Sequence, residues 1–169
     1  MGIHTNRIVQ SAAQGPAGRF RVGRRKSEHE LQAQLRDLVS LAVVGDHVRW
    51  VSPRDEELRR SLTEAGEQWR RWADEVARQL GRAGIAPDGR VRSLARDIPL
   101  NWVPDGWLAS GEARRLVAER IETVDRWTRY RQAQTRGADA ELLALISAGL
   151  QAQLGDLPKA AGPSGRARG

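Results

Sequence analysis

The chain contains no cysteine, which excludes disulfides and thiolate metal sites. Histidine is scarce: His4, His29 and His47 are the whole supply. None has Glu three residues before it, so the Glu-x-x-His pairs of a di-iron bundle are missing. No apolar run approaches the roughly 18 residues of a membrane span. The N-terminus lacks an apolar signal core, so a secreted product is not expected and the cytoplasm is the expected location. Gly-x-Gly-x-x-Gly, Walker, His-Glu-x-x-His and Gly-x-Ser-x-Gly motifs are all absent. Lysine is nearly so: Lys26 and Lys159 are the only two among 28 basic residues, and arginine supplies the rest. GC-rich coding would explain that bias; it also supplies planar forks suited to phosphate and carboxylate.

Acidic residues are missing from both ends. Residues 1–27 hold Arg7, Arg19, Arg21, Arg24, Arg25 and Lys26, and residues 158–169 hold Lys159, Arg166 and Arg168, with no acid in either stretch. The whole chain is +7, so the body from 28 to 157 is left at −2. Both ends read as disordered basic segments without sustained periodicity. One reading is an arm that displaces counterions along DNA. The other is a solvated tail that aids solubility.

What the body has in abundance is helical periodicity. The longest pattern covers residues 52–84, with Leu58, Leu62, Ala65, Trp69, Trp72, Val76, Leu80 and Ala83 on one face. Ser52 is its expected N-cap, with Pro53 at N1 and Asp55 in the first turn, and Gly81 and Gly84 are its expected stop. Before it, residues 27–51 predict a helix opened by a Ser27/Glu30 capping box. Its wide apolar face combines Leu31, Leu35, Leu38 and Ala42 with Leu41, Val44, Val48 and Val51. The tight break between the two predicts an antiparallel hairpin.

A crossover of about 25 residues follows, long for a compact bundle. It carries turn signals at Asp88-Gly89 and Asp105-Gly106 and a short helix candidate at residues 91–96. Trp102 and Trp107 are expected to pin it against the bundle or a neighbouring subunit. Residues 110–136 predict a third helix with Val117, Ile121 and Val124 on its stripe and Leu116, Trp127 and Tyr130 beside it, ended by Gly137. Asp139 is the expected cap of a fourth, striped by Leu143, Ile146, Leu150, Leu154 and Leu157 and closed by Pro158. The six tryptophans read as core and interface anchors rather than a base-stacking surface. Two hairpins joined by a crossover define an all-α, ferritin-like four-helix bundle over residues 28–157.

Candidate chemistry is thin. His47, beside Asp46 and near the Val44/Val48/Val51 stripe, is either a metal ligand or a hydrogen-bonded histidine at a helix interface. Asp74 and Glu75 flank the second stripe with Arg70, Arg71 and Arg78 within a turn, an arrangement that ordinary ion pairing also explains.

Three stretches carry a family resemblance covering residues 27–157. LRDLVSLAVVGDHVRW resembles the helix-A box of the Dps family, the ferritin-like proteins that protect DNA in starved cells. WADEVARQLGRAGIAPDGRVRSLA resembles that family's acid-bearing helix B and the turn after it, and GADAELLALISAGLQAQL its last helix. The resemblance implies a hollow dodecameric homo-oligomer, iron stored inside, and basic tails that bind DNA non-specifically. It implies a ferroxidase site between subunits, with His47 as one ligand and Asp74 or Glu75 as another. The partner acid then falls on Arg71 or Arg78, and the second subunit's pair on Glu56/Arg60 or Arg59/Thr63. The second helix has no histidine, and the box reads His-Val-Arg-Trp, where the family has His-Trp. Arginine against a di-iron site repels the metal. The expectation is therefore a Dps-like cage whose oxidation centre is damaged or lost. An active iron-oxidising cage and a plain helical scaffold stand as alternatives.

Overall fold

The computed structural model describes residues 16–88 and 106–157, with side chains from 26 onward. Among the described residues there are four helices and no strand: α1 (Pro16–Val51), α2 (Glu56–Arg82), α3 (Ser110–Gln134) and α4 (Ala138–Asp156). Residues 89–105, which include Trp102 and the expected short helix, lie outside the description, as do residues 1–15 and 158–169.

The order of packing follows from which side chains meet. α1 and α2 form the expected antiparallel hairpin, α3 and α4 form a second, and α1 packs on α3 while α2 packs on α4. Lys26 reaches Gln134, and Arg120 reaches Ser40, so α1 and α3 run antiparallel. Trp69 reaches Gln153, and Gln79 reaches Asp139, so α2 and α4 do too. α2 and α3 must then point the same way. α2 ends at the Lys26 end of the bundle, whereas α3 starts at the opposite end, where the Leu108 amide donates to the Val51 carbonyl at 2.9 Å. The connection has to climb the whole bundle, about 40 Å for a helix of α2's length. The crossover is long for that reason.

The inward faces bury what the periodicity predicts. Leu58, Leu62, Trp69, Trp72, Val76 and Leu80 of α2 join Leu31, Leu35, Leu38, Leu41, Val44 and Val48 of α1 in one core. Val117, Ile121, Val124, Leu143, Ile146 and Leu150 complete it. Leu154 and Leu157 pack against it half-buried.

Helix ends differ from expectation in four places. α1 begins at Pro16, so residues 16–27 are helical and Ser27 caps nothing; its hydroxyl instead donates to Asp139 across the bundle. The N-cap of α2 is Asp55, whose Oδ1 accepts the Leu58 amide at 3.0 Å, and Ser52 lies buried in the preceding turn. Gly81 sits within α2; the stop is Gly84, at φ +76°, with the Ile85 amide on the Leu80 carbonyl and the Gly84 amide on the Gly81 carbonyl. That is the paired-bond C-terminal motif a left-handed glycine permits. Gly137, at φ +60°, is the N-cap of α4, and Asp139 lies in its first turn, held by Ser27 and Gln79.

Candidate functional site

His47 lies on α1 between Val43 and Trp50, both exposed (51% and 71%). Its ring is half-buried, and its Nε2 is covered with no hydrogen-bond partner. Asp46, beside it, is held by Arg70 of α2 and lies 3.6 Å from Arg49. Arg49 in turn donates to Thr63 at 3.3 Å. Those two bridges set the α1/α2 register, which places Glu75 level with about residue 40, some 10 Å along the axis from His47. Glu75 is engaged by its own helix: Arg78 approaches at 2.6 Å and Arg82 at 3.6 Å. Asp74 is exposed.

The α1/α2 register thus sets His47 and Glu75 at different levels of the hairpin. No group of three or more His, Asp or Glu suited to a metal occurs among the described residues. Asp46, beside His47, and Glu75 are each paired with guanidinium, a poor environment for a dication. Of the expected iron ligands, only His47 offers a covered nitrogen without a partner.

The basic residues separate by position. Arg19, Arg21, Arg24 and Arg25 lie on the α1 backbone, continuing past the level at which α3 ends. Lys26 is exposed and donates to Gln134 at 2.6 Å. Arg7, Lys159, Arg166 and Arg168 lie outside the described residues.

At the other end, Arg114 clamps the turn between α1 and α2. Its Nε and Nη2 donate to the two oxygens of Asp55 at 3.0 and 2.9 Å, and Nη2 also reaches Glu57 at 3.1 Å. Burial pushes the Asp55 carboxyl upward, but Arg114, the Leu58 amide and Ser110 outweigh it, so Asp55 titrates below its ordinary range. The bond to Asp55 correspondingly raises Arg114.

Two buried ionic sites escaped the sequence reading. Arg131 of α3 is 7% exposed, with Nη1 donating to Gln34 at 2.9 Å and lying 2.7 Å from Asp37. Asp125, 3% exposed, accepts the Ser147 hydroxyl of α4 at 2.5 Å and lies 3.2 Å from Arg129. The signal was present: Thr128, Arg131 and Thr135 continue the Val117–Ile121–Val124 spacing, with polar residues where apolar ones had stood.

One long crossover linking two antiparallel hairpins defines the ferritin-like class of four-helix bundle. No protein-family model matches the chain, and no curated protein matches it. Solved structures do. Dps92 from Deinococcus radiodurans superposes with a TM-score of 0.75 at 21% identity, over 80% of this chain and 86% of that one. A point mutant of Dps1 from Mycobacterium smegmatis gives 0.70 at 19%, over 80% and 95%. The chain therefore has a divergent Dps-like fold. No helix of the described residues is long and apolar enough to cross a membrane.

Proposed function

We propose that this chain assembles into a Dps-like homo-oligomeric cage, in the cytoplasm at the nucleoid, that binds and protects DNA through its arginine-rich ends. In this reading it has little or no ferroxidase activity. The observation that carries it is the pairing of a Dps-like fold with net positive charge confined to the ends: nine basic residues and no acid there, against a body of −2. Such charge supplies affinity without sequence preference. Engaging about six to ten phosphates would weaken binding about 10³–10⁵-fold between 50 and 200 mM salt. The test is deletion of residues 1–26 and 159–169. Duplex affinity should fall with the arms, and a deletion that binds DNA as tightly as the full chain refutes the reading.

Iron oxidation is the second reading, favoured by the unpartnered Nε2 of His47. Iron is then a substrate held between subunits, where His47 of one chain would be completed by groups of another. Ferrous oxidation should be lost on His47→Ala and on the Asp74→Ala/Glu75→Ala pair. Wild-type oxidation no faster than buffer removes it.

A further inference from the structure

The last third of α3 and the turn after it read RWTRYRQAQTRG from Arg126 to Gly137: four arginines, two aromatics and no acid. Helical geometry splits the segment. Thr128, Arg131 and Thr135 turn inward and are buried, while Arg126, Trp127, Arg129 and Tyr130 face out. Trp127 and Tyr130 are 48% and 52% exposed, held edge-to-face with ring centroids 5.7 Å apart at 88°. Two adjacent exposed aromatics on a basic helix face are not core anchors. Rings already fixed against each other lose little freedom when a planar ligand stacks on them.

Beside Trp127 a groove of about 280 Å³ opens between α1 and α3. Among the described residues, Arg36, Arg120, Arg131 and Asp37 line it. Arg131 is held by Gln34 and Asp37, with Glu30 at 3.8 Å, so its guanidinium is oriented in advance. Arg120 donates to the Ser40 hydroxyl at 2.9 Å. The volume lies just under the usual range of about 300–1,000 Å³ for small-molecule pockets, so it suits a phosphate and sugar edge rather than a whole ligand. Lys26 extends the basic strip towards the arginine-bearing start of α1.

We infer that this strip binds single-stranded nucleic acid, with backbone phosphates in the α1/α3 groove and a base stacked on Trp127. A duplex hides the base faces in its own stack, whereas a single strand presents them to protein aromatics. The inference shares its ligand class with the arm reading but needs the bundle rather than the arms. The experiment uses the full chain, fluorescence anisotropy, and labelled oligothymidylate and duplex probes of equal length. Trp127→Ala with Tyr130→Ala should weaken single-strand binding about tenfold or more and leave duplex binding within about twofold. Trp127→Phe with Tyr130→Phe should restore it. Unchanged single-strand affinity, or an equal loss on both probes, overturns the inference alone. So does a shift of the alanine variant to a smaller assembly on sizing, which would make the strip a subunit contact. Wild-type protein that binds neither probe overturns the arm reading as well.

Discussion

Asp55 does two jobs with one carboxylate: it caps α2 and receives Arg114 from α3. Removing either partner leaves a charge out of water without its complement, which costs about 3 kcal/mol. Arg114→Ala should therefore lower the urea midpoint sharply. Asp55→Asn, which keeps the cap acceptor, should be milder than Asp55→Ala, which also loses the cap at roughly 1 kcal/mol. The pH dependence has a definite sign. Asp55 is held below its ordinary value of 3.8 in the folded chain, so its stabilisation is complete above that value and fades as pH falls through the lower folded one. Asp55→Asn should flatten the stability curve below about pH 4 relative to wild type, and urea titrations across that window measure it. Ser52 and Asp55 both carry start signals in the sequence. The residue that chooses between them is Arg114, 59 positions from Asp55, beyond the reach of any local pattern.

Helices approach closely where glycine faces tryptophan. A Cβ on Gly45 of α1 would lie 2.6 Å from the Trp69 ring, and one on Gly149 of α4 would lie 2.3 Å from Trp72. Alanine gains up to about 1 kcal/mol over glycine inside a helix, but overpacking a full core costs about 1–3 kcal/mol. With both rings buried, the steric cost wins. Gly149→Ala should destabilise the bundle in denaturant titrations, whereas Gly81→Ala, whose Cβ would meet nothing within 4 Å, should stabilise it by about 0.5–1 kcal/mol. Gly149 lies in the body of α4 and Gly81 in the last turn of α2. Their opposite outcomes depend on what stands across the gap, which periodicity does not report.

The assembled molecule leaves aromatic surface uncovered at the end where the crossover arrives. Trp107 is 79% exposed and Trp50 71%, and the residues following each, Leu108 and Val51, are hydrogen-bonded. Trp107 thus does not pin the crossover to its own bundle; the remaining expectation for it is a neighbouring subunit, which the cage reading supplies. Trp50→Glu with Trp107→Glu should shift the protein to smaller species on sizing chromatography with helical content retained by circular dichroism. A variant that elutes with wild type places the contact elsewhere.

Four helices, their inward faces and the charged ends are all legible in the order of residues. Those properties are local or additive: a 3.6-residue repeat is read within one segment, and charge is a count. Contacts between helices settle what remains. Which start signal caps α2, which aromatics face water, and why Arg131 and Asp125 lie buried all depend on partners from other helices. The physical reason is that burial and hydrogen bonding belong to pairs of residues, and here the pairs are as far apart in the chain as Lys26 and Gln134.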